Sequence, residues 1–158
     1  MKVIFLDVDG VLNYRDCFLE RHRVNNAPLI WDKDCVNELN RIIKETGAKI
    51  VVSSTWRILD DHYKALTTEM GIEGEFIGKT KSHLPITKPE GTCRGDEIQD
   101  WITTFCIETN NAPGNIVILD DDSDMGDLLP YLVQTSFHKK GLTKELADEA
   151  IVMLNKGY

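Results

Sequence analysis

Carboxylate and hydroxyl side chains are grouped at three short stretches of the sequence, each of which directly follows a run of apolar residues. In chain order, the stretches are Asp7 and Asp9, then Ser53 and Ser54, then Asp120, Asp121 and Asp122. If the stretches meet in the fold, their acids repel one another unless a bound cation neutralises them. Hard oxygen ligands of this kind suit Mg²⁺, which takes one or two protein carboxylates and keeps several waters.

The elements that must position these side chains alternate between short apolar runs and segments of helical periodicity. This alternation predicts βαβ units with right-handed crossovers, and hence an α/β fold with a three-layer, doubly wound, Rossmann-like parallel sheet of about five strands. Ligands bind such sheets outside the carboxyl ends of the strands, where all three stretches would lie. The predicted strands are Lys2–Leu6, Ala48–Val52, Phe76–Lys79, Asn115–Leu119 and Tyr131–Thr135, and the predicted helices are Asp34–Thr46, Asp60–Met70, Arg94–Thr109 and a last helix capped by Thr143.

Length and composition predict a single domain over residues 1–158 with its own hydrophobic core. The net charge of −8 excludes a general nucleic-acid coat protein, because such a chain repels a phosphate backbone at long range. No apolar run approaches the roughly 20 residues of a membrane span, so no membrane partner is expected. The four cysteines contain no C-x-x-C pair, which favours free thiols in a reducing cytoplasm.

Four motifs resemble those of the haloacid dehalogenase (HAD) superfamily of phosphohydrolases. The first motif is an apolar strand followed by D-x-D-G-[VT]-L, found at Asp7–Leu12, and the second is a strand that ends in Ser53. The third is a basic residue near the start of a helix, here Arg94. The fourth is a strand that ends in paired acids, Asp120 and Asp121. Order and spacing agree with the superfamily over nearly the whole chain.

Shorter strings resemble the small HAD domain of Swiss Army knife RNA-repair proteins. They are SSTWR at Ser53–Arg57, R-G-x-E-I-x-x-W at Arg94–Trp101 and GLT at Gly141–Thr143. This resemblance implies a phosphorylated substrate, with RNA or DNA ends as the specific expectation, and no obligate protein partner is evident.

The HAD resemblance implies phosphoryl transfer through a phosphoaspartate intermediate. Asp7 would attack phosphorus, and Asp9 would protonate the leaving oxygen and then take a proton from water. The Mg²⁺ ligands would be the Asp7 side chain, the Asp9 backbone carbonyl and Asp121. Asp120 would either bind the ion or orient its ligands. Ser53 would donate a hydrogen bond to a phosphoryl oxygen.

Two assignments in the phosphate site have alternatives within the sequence. Ser54 competes with Ser53 as the hydroxyl donor, and Lys88 competes with Arg94 as the cation that stabilises the transferring group. Arg57 could also reach the phosphate, although a salt bridge at the sheet edge fits it equally well.

The cap that usually selects HAD substrates has little room in this chain. Residues 14–33 are enough for a flap or minimal cap but not for a domain, and the connection from Thr80 to Cys93 is also short. By resemblance, the chain is a capless or minimally capped member. An open site of this kind admits large substrates, such as a nucleic-acid end, better than it encloses a small metabolite.

Two other functions compete with this interpretation. A non-catalytic phosphate-binding or phospho-accepting module, resembling a receiver domain, would carry its aspartate after a central strand and would lack the D-x-D pair. A phosphatase of small phosphorylated metabolites would use the same residues and would differ only in its substrate.

Overall fold

The computed structural model describes residues 1–21, 29–82 and 93–156 of the chain. Its strands are β1 (Val3–Leu6), β2 (Lys49–Val52), β3 (Phe76–Lys79), β4 (Ile116–Asp120) and β5 (Leu132–Gln134). Its α-helices are α1 (Arg15–Arg21), α2 (Lys33–Thr46), α3 (Asp60–Lys64), α4 (Arg94–Thr109) and α5 (Lys144–Lys156). Short 3₁₀ turns cover Thr55–Arg57 and Gly126–Tyr131, and a π turn covers Ala65–Glu69.

The five strands form one parallel sheet in the order β3-β2-β1-β4-β5. The chain first moves from the central strand β1 to one edge, then returns to the other side of β1 with β4. This confirms the α/β, doubly wound, Rossmann-like architecture predicted from the sequence. The switch in direction lies beside β1, which is where ligands bind sheets of this kind.

Strand β1 is buried on both faces because helices cover both sides of the sheet. Its four residues alternate between two cores and are each 0% exposed. Ile4 and Leu6 pack in the larger core with α2 and α5, whereas Val3 and Phe5 pack with the α4 side. Trp101 of α4 is partly buried and packs edge-on with Phe5, with the ring centroids 5.5 Å apart.

The register of the central strands brings their carboxyl ends to one level. Leu6, the last residue of β1, pairs with Val52 on one side and with Leu119 on the other. The residues that follow these three positions therefore emerge side by side at the same edge of the sheet.

The predicted helix over Asp60–Met70 is only partly α-helical. It ends as an α-helix at Lys64 and continues as the π turn over Ala65–Glu69. The hydroxyls of Thr67 and Thr68 donate to backbone carbonyls four residues earlier, at 3.0 and 2.7 Å. Such back-bonding competes with the regular helical ladder and accounts for the departure.

Two predicted features lie partly or wholly outside the described residues. The segment 14–33 contains α1, but its residues 22–28 are not described. Lys88, the alternative to Arg94, is also outside the described ranges. Within the part of the chain that the structure describes, no helix has both the length and the apolar character needed to cross a membrane.

Candidate active site

Three acids meet at the edge where β1 and β4 end. Asp7, Asp120 and Asp121 each offer one carboxylate oxygen, and these oxygens lie within 4.8 Å of one another. The backbone fixes this arrangement, because the Asp7 amide donates to the Leu119 carbonyl at 2.9 Å and extends the β1–β4 pairing by one step. Asp120 was predicted to follow its strand and is instead the last residue of β4, paired with Gln134.

Asp7 is a buried carboxyl group whose pKa is raised by burial and lowered by its neighbours. It is 8% exposed, and burial raises its pKa from the ordinary value of 3.8 to about 6. The Ser54 hydroxyl, the Arg94 charge and the Val8 amide, which donates to Oδ1 at 2.8 Å, all oppose this rise in pKa. Asp7 can therefore lose its proton near neutral pH, as a nucleophile must.

Asp120 is buried more deeply and has an unsatisfied oxygen. It is 2% exposed, and burial together with the charge of Asp7 raises its pKa from 3.8 to about 8. Its Oδ1 accepts from the Asp122 amide at 2.9 Å, whereas the buried Oδ2 accepts no hydrogen bond from the described part of the chain. Burial also raises the pKa of Asp121. An all-oxygen cluster with a buried acceptor that lacks a hydrogen bond fits a hard divalent cation such as Mg²⁺.

Gly10 allows Asp121 to approach the other two acids. Its φ of +81° lies in the left-handed region, and a Cβ at this position would overlap the Asp121 carboxyl group. The turn is held by the Thr135 hydroxyl, which donates to the Gly10 carbonyl at 2.7 Å, and by the Asn13 side chain, which accepts from the Gly10 amide at 3.0 Å.

Asp9 lies beside this cluster, but its carboxylate does not join it. Both of its oxygens accept N–H bonds instead. Asn13 Nδ2 donates to Oδ1 at 2.8 Å, and Trp56 Nε1 donates to Oδ2 at 3.1 Å. The sequence predicts a metal contact only through the Asp9 backbone carbonyl, so the position of the side chain is compatible with a separate role in proton transfer.

The structure distinguishes the two serines that compete for the phosphate. Ser54 Oγ accepts from the Trp56 amide at 3.3 Å and bonds to Asp7, so it is already occupied. Ser53 is 1% exposed, and its hydroxyl has no hydrogen-bond partner among the residues that the structure describes. A buried hydroxyl without a partner is available to a ligand oxygen, which favours Ser53 over Ser54 as the donor.

Arg94 begins α4 and reaches towards the acids. Its Nε lies 3.7 Å from Asp120 Oδ2, and its Nη1 binds Glu97 Oε2 at 3.0 Å. The helix is brought close by Gly95, where a Cβ would overlap the backbone carbonyl of Met125. The Arg94 amide also donates to the Asp124 side chain at 3.0 Å, so the loop after β4 and the start of α4 form one unit.

Arg57 forms a salt bridge with the same Glu97 oxygen that Arg94 binds. Its Nη2 lies 2.8 Å from Glu97 Oε2, and its Nη1 donates to the Ser54 carbonyl. Burial, together with the neighbouring charge of Arg94, lowers the pKa of the Arg57 guanidinium. Of the two predictions for Arg57, the salt bridge is therefore the one that the structure contains.

Three buried side chains with direct contacts to the site were given no role in it by sequence reasoning: Asn13, Trp56 and Glu97. Asn13 and Trp56 bind Asp9, and Glu97 joins the two arginines. Each belongs to a motif string or directly follows one, which was the only signal available from the sequence. Their roles depend on contacts between residues far apart in the chain.

Comparison with known families adds one finding to this geometry. The family model described as the HAD domain in Swiss Army Knife RNA repair proteins matches residues 3–147. The matched range begins at β1, ends within α5 and contains all the site residues described above. No curated protein and no solved structure matches the chain.

Proposed function

Because the chain belongs to the family of HAD domains found in Swiss Army Knife RNA repair proteins, we propose that it is a Mg²⁺-dependent phosphomonoesterase that forms a phosphoaspartate on Asp7. The observation that carries this proposal is the cluster of three carboxylate oxygens within 4.8 Å of one another at the carboxyl end of β1 and β4. Family membership supports a phosphohydrolase type of activity, and the cluster supports its metal dependence.

Asp7, Asp120 and Asp121, together with the Asp9 backbone carbonyl, would hold Mg²⁺. The bound ion would reduce the repulsion between the Asp7 carboxylate and a phosphate dianion. Support comes from Asp120 Oδ2, which accepts no hydrogen bond from the described residues. It comes also from the raised pKa of all three acids, since ionising such a cluster needs a compensating positive charge.

The chain's own residues supply the remaining steps. Asp7 attacks phosphorus in line, the ester P–O bond breaks, and Asp9 gives its proton to the leaving oxygen. Water then attacks the phosphoaspartate, Asp9 takes a proton from that water, and inorganic phosphate leaves with Asp7 restored. Ser53 and Arg94 bind the phosphoryl oxygens, and Arg94 offsets the charge that they carry.

The proposed substrate is a phosphorylated RNA or DNA end, with small phosphorylated metabolites as the alternative. The family's description supports the nucleic-acid end, as does the short length of residues 14–33 and of the β3–α4 connection. The single domain over residues 1–158 and the cytoplasmic location stay predictions from the sequence.

Hydrolysis of p-nitrophenyl phosphate with Mg²⁺ tests the chemistry. Asp7→Asn should abolish turnover, and a chelator should do the same to the wild type. Asp122→Asn is the matched control, because Asp122 is exposed, lies in the same loop and takes no part in the cluster. Undiminished activity in Asp7→Asn would disprove the covalent mechanism. Comparing 3′- and 5′-phosphorylated oligonucleotides with sugar phosphates tests the substrate, and a preference for sugars would remove the RNA-repair assignment alone.

A further inference from the structure

The side chain of Asp9 is held at both oxygens by nitrogen donors from two separate parts of the chain. Asn13, in the same turn, donates to Oδ1 at 2.8 Å, and Trp56, 47 residues away, donates to Oδ2 at 3.1 Å. The second bond links the loop after β1 to the loop after β2. The orientation of the Asp9 carboxylate therefore depends on where the Trp56 indole is placed.

The Trp56 ring is fixed in its position. It is 6% exposed and lies in the 3₁₀ turn Thr55–Arg57. The Trp56 amide donates to the Ser54 hydroxyl oxygen at 3.3 Å, which caps the start of this turn. The ring of His62 packs edge-on against the Trp56 ring, with the centroids 5.0 Å apart and the planes at 74°. An indole has one hydrogen-bonding group, the Nε1–H donor. Trp56 uses that group on Asp9.

We infer that Trp56 is a positioning residue for the acid–base group of the proposed reaction, and that its indole N–H keeps the Asp9 carboxyl aimed at the leaving oxygen. This inference rests on the proposed function. Trp56 is too deeply buried to act as a stacking platform for a nucleobase. Its ring belongs to the larger core, but packing there does not require its N–H to meet Asp9, as it does. Asn13 is less diagnostic, because it also binds the Gly10 amide and the Ile30 carbonyl.

A positioning role can be separated from a structural one by changing the leaving group. Phenol is a much weaker acid than p-nitrophenol, so phenoxide needs a proton to leave and p-nitrophenoxide hardly does. The two aryl phosphates otherwise have nearly the same size and the same phosphoryl group. Loss of proton delivery should therefore slow the hydrolysis of phenyl phosphate selectively, whereas a damaged fold should slow the hydrolysis of both substrates alike.

The experiment compares kcat/KM for phenyl phosphate and p-nitrophenyl phosphate in the wild type and in Trp56→Phe. The value kcat/KM reports the steps up to formation of the phosphoaspartate, in which Asp9 acts as the acid. Trp56→Phe removes one hydrogen bond to the negative charge that develops on Asp9 as it gives up its proton, which should lower kcat/KM for phenyl phosphate by about 10- to 100-fold. The value for p-nitrophenyl phosphate should stay within about 3-fold, since that leaving group makes little use of the acid.

Trp101→Phe is the matched control, because it removes the same indole N–H on the α4 side of the sheet, where the ring packs against Phe5 and Phe105. Trp101→Phe should leave the ratio of the kcat/KM values for the two substrates unchanged. If Trp56→Phe fails to fold, replacement of Trp56 by benzothienylalanine, which has the shape of tryptophan without the N–H, gives the same test.

If Trp56→Phe lowers kcat/KM equally for the two substrates, or does not lower it for phenyl phosphate, the inference is overturned. Neither result would affect the proposed phosphatase function, which depends on the wild-type activity and on Asp7→Asn. Absence of all wild-type activity would instead refute the proposed function. The two failures are therefore distinguishable.

Discussion

The metal-free protein should become less stable as the pH rises, because buried acids then have to ionise without a cation. Burial and the charge of Asp7 raise the pKa of Asp120 from 3.8 to about 8, and burial raises that of Asp7 to about 6. The unfolded chain releases these protons near pH 4. Above that pH the folded state holds the additional protons, so stability falls as pH rises until Asp120 has also ionised.

The size of the effect follows from the number of protons that the folded state retains. Between pH 6 and 7.5 this is chiefly the proton of Asp120, because Asp7 has a pKa of about 6. One retained proton changes the free energy of unfolding by about 1.4 kcal/mol per pH unit, or about 2 kcal/mol over this interval. For a chain of this length, 2 kcal/mol lowers the melting temperature by about 4–8 °C.

Mg²⁺ should reverse this trend, because binding requires ionised acids and releases their protons. Thermal unfolding followed by circular dichroism in EDTA, at pH 6 and at pH 7.5, measures the decline, and repeating the melts with Mg²⁺ measures the reversal. Asp120→Asn is the control, because its neutral side chain cannot ionise while the other titratable groups of the chain are unchanged. Its melting temperature should therefore fall less than that of the wild type between pH 6 and 7.5. A wild-type melting temperature that stays constant in EDTA, or an equal decline in Asp120→Asn, would refute the reasoning.

Two further substitutions test the geometry of the site. Gly10→Ala should raise the Mg²⁺ concentration needed for half-maximal hydrolysis of p-nitrophenyl phosphate, because the new Cβ would overlap the Asp121 carboxyl group. We expect an increase of at least about 10-fold, the typical effect of displacing a group that supports a metal site. An unchanged Mg²⁺ titration would contradict a metal-binding role for Asp121. Ser53→Ala should lower kcat/KM by about 10- to 100-fold without lowering the melting temperature, since its buried hydroxyl bonds to no group in the described part of the chain. Wild-type turnover with a lower melting temperature would show that the hydroxyl serves the fold instead.

Most of the fold could be predicted from local patterns, although α1 (Arg15–Arg21) was not predicted as a helix and the helix predicted over Asp60–Met70 departs from α-helical geometry after Lys64. The fully apolar run at Val3–Leu6 has the composition of a strand buried on both faces, and it is 0% exposed throughout. Parallel pairing then brings the strand ends to one edge, so the meeting of Asp7 with Asp120 and Asp121 follows from topology alone. The end of β4 was misplaced by one residue because backbone pairing with β5 extends the strand through Asp120.

The contacts that orient these groups could not be predicted in the same way. The bond from Trp56 to Asp9 joins residues 47 positions apart, and the pair of Arg57 with Glu97 joins residues 40 positions apart. No periodicity relates such positions, since they meet only after the loops after β1 and β2 and the start of α4 have packed together. Arg57 illustrates the limit, because the sequence allows either a phosphate contact or a salt bridge and only the fold selects between them.

The charges around the site imply an order of binding. Even with Asp120 protonated, the two arginines do not balance Asp7, Asp9 and Asp121, because Glu97 accepts from both of them and cancels one of their charges. Without a cation, an arriving phosphate dianion would therefore meet a negative field in a poorly screened, partly buried site. In the proposed reaction, the cation would bind first and would convert a cluster that repels the substrate into one that binds it. The shared Glu97 therefore does more than balance charge. It holds Arg94 beside the acidic cluster, with Arg94 Nε 3.7 Å from Asp120 Oδ2. From this position the Arg94 guanidinium can face the incoming phosphoryl oxygens.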